Sequence, residues 1–251
     1  MAQRRVLLVS NSTTHPTGYL DHCAKDMVNF LGPDVKTILF VPYALKDHDG
    51  YAAKAKERFA VMGFKAASIH EFEDQQAAVA SHDAMFVGGG NTFRLLKTLQ
   101  DKNLIQIIRR RVLEQGMPYM GASAGSNIAC PGIFTTNDMP IVQPSSFLAL
   151  GLVPFQLNAH YLEPDPTSTH KGETRAERLA QFHEENDLPV VGLPEGMMIE
   201  VVGDKAVLRG MDRDVRLFAP GKPMETRKTG ATLDDFMQAA EPAHKRIKHS
   251  E

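Results

Sequence analysis

A chain of 251 residues has room for one large α/β domain or two smaller ones, and 43% hydrophobic against 23% charged residues is the balance of a globular protein with a sizeable core. The 28 Lys and Arg against 30 Asp and Glu leave a net charge of −2, so no basic field recruits nucleic acid or an anionic membrane. Two cysteines, Cys23 and Cys130, are too few for a disulfide framework or a structural zinc cluster.

The first apolar run, Val6-Leu7-Leu8-Val9, is shorter than the roughly 7–15 residues of a signal-peptide core, and no later run approaches the about 20 of a membrane span. The expectation is a soluble cytoplasmic protein, monomer or homodimer, with no nucleic-acid or membrane partner. Apolar runs predict strands at 6–10, 37–42, 84–88 and 118–122. Segments of helical period lie between them at 19–31, 51–63, 74–80, 92–99 and 104–115, several closing on glycine: Gly32, Gly63 and Gly116. This alternation predicts a parallel sheet covered on both faces. Strands without polar alternation, such as Met85-Phe86-Val87, suit its centre.

From about Asn137 prolines interrupt the chain, and a polar stretch runs from His160 to Thr174, the kind of long loop that often carries a site. A helix is predicted over Arg175–Glu185. Short strands at Val190–Leu193, 198–202, 205–208 and 215–219 read as a hairpin region finishing the sheet. An amphipathic segment at 233–240 closes a single domain over 1–240. The tail at 241–251, with Lys245, Arg246 and Lys248, reads as a frayed basic end.

The sharpest local signal is Gly121-Ala122-Ser123-Ala124-Gly125, a G-x-S-x-G pattern where a buried strand ends and a helix begins. A nucleophile on so sharp a turn adopts strained dihedrals and needs neighbours without bulk, while the following helix start supplies amides for a developing oxyanion. Gly88-Gly89-Gly90-Asn91-Thr92 ends a second strand. It fails as a dinucleotide fingerprint, because Phe93 stands where the last glycine belongs, so no cofactor is expected. It reads better as an oxyanion donor at the carboxyl edge of the sheet. Asn91 either caps the next helix or binds substrate.

Of ten histidines, His160 is the best placed base, with His170 as competitor; Asp138 and Glu195 are both candidates to hold its tautomer. A zinc site from His160, His170 and Glu163 lacks helical ligand spacing, and no metal is expected.

Taken together, Gly88–Phe93, the elbow Gly121–Asn127, Thr135-Thr136-Asn137-Asp138-Met139-Pro140 and His170-Lys171-Gly172-Glu173-Thr174-Arg175 resemble the aspartyl dipeptidases of the peptidase E family. The likeness runs from Val6-Leu7-Leu8-Val9-Ser10-Asn11-Ser12 to Gly192-Leu193-Pro194-Glu195-Gly196, most of the chain. It implies a flavodoxin-like α/β/α sandwich, mostly parallel, similar to class I glutamine amidotransferases with serine replacing the elbow cysteine. It also implies Ser123 as nucleophile, His160 as base and either Asp138 or Glu195 as the acid. Gly89 and Ala124 would form the oxyanion hole, and Arg175 would receive the aspartate side chain of the substrate. The activity implied is hydrolysis of dipeptides with N-terminal L-aspartate, without metal or cofactor. Two alternatives are a cyanophycinase-like hydrolase of β-aspartyl linkages and a non-enzymatic sensor of small ligands on the same scaffold.

Overall fold

The computed structural model describes residues 3–167, 169 and 172–238. Five parallel strands form the body of the main sheet: β1 (Arg5–Val9), β2 (Thr37–Val41), β3 (Lys65–Ser68), β4 (Ala84–Val87) and β5 (Tyr119–Ala122). Two families of side chains leave each strand on opposite faces, and here both families are apolar. Leu8, Leu39, Met85 and Tyr119 enter one core cluster, and Leu7, Phe40, Phe86 and Met120 the other. The first is covered by α3 (Gln75–Ser81), α4 (Thr92–Asp101) and α5 (Ile105–Leu113), through Val79, Leu96 and Ile108. The second is covered by α1 (Ala24–Leu31) and α2 (His48–Val61), through Met27 and Phe59. The result is the flavodoxin-like layering, with strand ends on one edge left to carry function.

The rest of the chain departs from the predicted pattern. Strand β5 leads through Ser123 into a single turn of helix, α6 (Ala124–Asn127). A four-stranded second sheet follows, in order β11-β10-β7-β6, from β6 (Gln156–Ala159), β7 (Val190–Leu193), β10 (Val215–Phe218) and β11 (Glu225–Arg227), with α7 (Arg175–Glu185) connecting β6 to β7. Only the hairpin β8 (Met197–Val202) and β9 (Lys205–Gly210) finishes the main sheet, whose order is β3-β2-β4-β5-β1-β8-β9; α8 (Asp234–Gln238) packs against β9. The segments at 190–193 and 215–219, expected to complete the first sheet, pair with β6 and β11 instead.

Helix α1 starts at Ala24 rather than at 19, because the preceding residues turn and Leu20 takes φ 57°, a left-handed conformation through which no helix runs. Strand β3 was not foreseen: Lys65-Ala66-Ala67-Ser68 is a sheet edge without β-branched residues. On α5, Arg109 donates to the Leu150 carbonyl and Arg111 to those of Val79 and His82. The predicted basic tail at 241–251 and residues 239–240 of the last predicted helix lie outside the described residues.

Candidate active site

The elbow is forced by close packing. A methyl group on Gly121 would stand 2.4 Å from the Gly125 carbonyl oxygen, and one on Gly125 only 2.1 Å from that of Val87, so both positions admit only hydrogen. Ser123 itself takes φ 53° and ψ −111°, a strained conformation for a residue with a Cβ. Its amide is held on the Val9 carbonyl at 3.0 Å, the Ser126 hydroxyl donates to the carbonyls of Val9 and Gly121, and the buried Tyr119 hydroxyl donates to that of Gly125 at 2.6 Å. These bonds fix the turn and leave the Ser123 hydroxyl on the cleft side.

The glycine loop after β4 lies directly against Ser123. A Cβ on Gly89 would sit 3.1 Å from the Ser123 Cβ and 3.7 Å from its Oγ, while Gly90 takes φ 136° with the Ala44 carbonyl where a side chain would go. Ala124 opens α6, so its N–H is one of those for which no helical carbonyl is available.

The second sheet supplies the partners of Ser123. His160 follows β6 and Glu195 follows β7; these strands are parallel neighbours with Ala159 opposite Leu193, which brings the two residues side by side. The His160 Nε2 lies 2.8 Å from Ser123 Oγ, and Nδ1 lies 2.7 Å from Glu195 Oε1. The carboxylate can only accept, so Nδ1 carries the proton and Nε2 presents its lone pair to the hydroxyl. Ser10, at the end of β1, joins the sheets: its hydroxyl donates to the Leu193 carbonyl at 2.8 Å and accepts the His160 N–H at 3.0 Å. Asn11 accepts the Gly196 N–H at 2.7 Å, fixing the turn that carries Glu195.

The other carboxylate is placed elsewhere. Asp138 Oδ2 accepts from the Thr92 N–H at 2.7 Å and its hydroxyl at 2.5 Å, at the start of α4, and both ring nitrogens of His160 are already engaged. Asn91 makes two bonds within the protein: its Oδ1 caps α4 through the Arg94 N–H at 3.0 Å and its Nδ2 donates to the Met139 carbonyl at 2.8 Å. Arg175, at the start of α7, donates to Asn137 Oδ1, and burial, with Arg178 nearby, pushes its guanidinium below the usual arginine range. Glu163, considered as a zinc ligand, accepts from Arg216 instead, and His170 lies outside the described residues.

The model of peptidase family S51 matches residues 6–209. This chain belongs to that family. It is 52% identical over 232 residues to Peptidase E of Streptomyces coelicolor, covering 92% of this chain and 94% of that protein. It is 49% identical over 216 residues to a probable alpha-aspartyl dipeptidase of Drosophila melanogaster, covering 86% and 90%. Among solved structures, a putative peptidase E protein from Listeria monocytogenes aligns with TM-score 0.63 at 21% identity, over 84% of this chain and all of that one. A peptidase from an acI-B1 actinobacterium aligns with TM-score 0.67 at 16% identity, over 92% and 96%. These two establish likeness of fold.

In this S51 chain a cleft of about 600 Å³ opens over Ser123 and His160, walled by Gly89, Gly90 and Asp138 on one side and by Asp47, Tyr51 and Lys54 of the α2 region on another. Sequence reasoning did not single out the α2 wall, nor Ser10 and Asn11 as the residues that hold the backbone at His160 and at the turn carrying Glu195. The signal available for the latter pair was position alone: they follow β1 at the carboxyl edge, where open α/β sheets gather their sites. Among the described residues no helix is long and apolar enough to cross a membrane.

Proposed function

We propose that the protein is a serine dipeptidase that hydrolyses dipeptides with N-terminal L-aspartate through an acyl-enzyme on Ser123. The hydrogen-bonded series Ser123–His160–Glu195 carries this reading, at 2.8 and 2.7 Å. The name of the Drosophila relative, a probable alpha-aspartyl dipeptidase, supplies the substrate class.

His160 Nε2 takes the Ser123 proton as Oγ adds to the aspartyl carbonyl, and the imidazolium so formed is stabilised by Glu195. The amides of Gly89, on the loop packed against Ser123, and of Ala124, which opens α6, are assigned to the oxygen on which negative charge develops. The imidazolium then protonates the departing amine, the second amino acid leaves, and water activated by the same imidazole hydrolyses the aspartyl ester. No step calls for a metal or cofactor. Arg175 exchanges its neutral partner Asn137 for the aspartate side chain, whose carboxylate matches the planar guanidinium fork through two parallel N–H···O bonds. The working compartment is the cytoplasm, in keeping with two free, buried cysteines.

Ser123→Ala is the direct test. It abolishes release of leucine from Asp-Leu while circular dichroism stays unchanged; full activity in this variant ends the reading.

A further inference from the structure

A dipeptidase must recognise the free α-ammonium that distinguishes its substrate from an aspartyl residue inside a longer chain; Arg175 is a cation, and Glu195, the carboxylate of the catalytic series, is engaged behind His160 at 2.7 Å. Asp138 lies in the same cleft as Ser123 and His160. Its two oxygens are employed unequally. Oδ2 accepts both the amide and the hydroxyl of Thr92, whereas Oδ1 makes no hydrogen bond among the described residues, and no described lysine or arginine forms an ion pair with the carboxylate. Nor is there a place for Asp138 in the proton relay, because Glu195 occupies Nδ1 of His160 and Ser123 occupies Nε2.

The surroundings hold this carboxylate rigidly and in register with Arg175. The Thr92 hydroxyl that donates to Asp138 is itself contacted by Asn127 at 3.3 Å and Thr136 at 3.1 Å, and Asn91 anchors the adjoining loop through Met139. Asn137, the preceding residue, holds the Arg175 guanidinium and donates to the Ala159 carbonyl at 2.8 Å, next to His160. Two consecutive residues thus present an anion and the seat of a cation. An N-terminal aspartate carries the complementary charges, its α-ammonium and β-carboxylate, on adjacent carbon atoms.

We infer that Asp138 is a specificity-determining residue whose Oδ1 receives the α-ammonium of the N-terminal aspartate. It does not orient His160. The inference rests on the dipeptidase reading and deepens it.

The test compares Asp-Leu with succinyl-leucine, which keeps the β-carboxylate and the scissile amide and lacks only the ammonium. Asp138→Asn keeps an oxygen for Thr92 and removes the charge. It is expected to lower kcat/KM for Asp-Leu by 30–100-fold more than for succinyl-leucine, on the order expected for losing one partner of a partly buried charge pair. Equal losses on both substrates, or no loss on either, overturn the assignment and leave the dipeptidase standing. Failure of the unaltered enzyme to cleave Asp-Leu removes the dipeptidase reading and the assignment with it. If Asp138→Asn does not fold, calorimetry on Ser123→Ala decides: Asp-Leu binds at least about 30-fold more tightly than succinyl-leucine, and equal affinities overturn the inference.

Discussion

Glu195→Gln isolates the contribution of the carboxylate behind His160. At contact distance a unit charge pair is worth about 4 kcal/mol at an effective dielectric of about 20 and about 1 kcal/mol in bulk water. With the His160 and Glu195 side chains 39% and 45% exposed, a discounted figure of about 2 kcal/mol is appropriate for the imidazolium state, or roughly 30-fold in rate. The tautomer adds to this. An amide can turn its N–H₂ toward Nδ1, which moves the ring proton to Nε2 and removes the lone pair that Ser123 needs. The expected loss is therefore about 10²–10⁴ in kcat, with KM within about threefold, because the residue touches no part of the substrate. Leucine release from Asp-Leu at pH 7.5 measures it, with circular dichroism to confirm folding. Asp-Leu and succinyl-leucine must lose by the same factor, in contrast to Asp138→Asn. Retention of kcat within fivefold refutes the assigned relay.

Three further outcomes follow from packing and burial. Gly125→Ala drives a methyl group to 2.1 Å from the Val87 carbonyl, which cannot move without breaking the sheet; a loss of about 2–3 kcal/mol is expected in a urea titration, and an unchanged midpoint would contradict the close packing of the elbow. Burial pushes the Cys23 thiol up to about 12 and raises that of Cys130 as well, so neither reacts with Ellman's reagent until denaturant is added; rapid reaction in the native protein would refute that burial. Burial also lowers the pKa of His22, against the opposing pull of Glu195. The unfolded chain therefore takes up this proton first as pH falls below about 6.5, and the stability present above that value is lost on acidification. The urea midpoint should fall further between pH 7.5 and 5.5 in the unaltered protein than in His22→Gln; equal falls would remove His22 from the account.

The central layer was readable because its strands are buried on both faces: Val6-Leu7-Leu8-Val9 and Met85-Phe86-Val87 have no polar phase to confuse with a helix or a solvated edge. The elbow was readable for a related reason, since glycines at 121 and 125 answer to backbone contacts within a few residues of Ser123 or on the next strand. The second sheet was not. Gln156 and Asn158 in β6 break the apolar signature, and Asn158 is tolerated in the interior because its amide donates to the Thr135 carbonyl at 2.8 Å, a bond that no local pattern announces. The choice between Asp138 and Glu195 was open for the same reason. Both sit in turn-like sequence, and what separates them is the parallel register of β6 and β7 together with the start of α4, contacts made across long stretches of chain. Asn91 shows the converse. Its capping signal was legible, and the cap forms on the Arg94 N–H, while the bond to the Met139 carbonyl joins residues 48 positions apart and left no local trace.

The bridging hydroxyl of Ser10 bears on when the protein becomes reactive during its synthesis. The elbow belongs to one sheet and its imidazole and carboxylate to another, and the last of these lies seventy-two positions after the serine, counting 195 − 123. A growing polypeptide that has completed only the first layers holds an inert alcohol. On the proposed mechanism, a chain that stopped short of β6 would carry Ser123 without the His160 and Glu195 that hydrogen-bond to it in series.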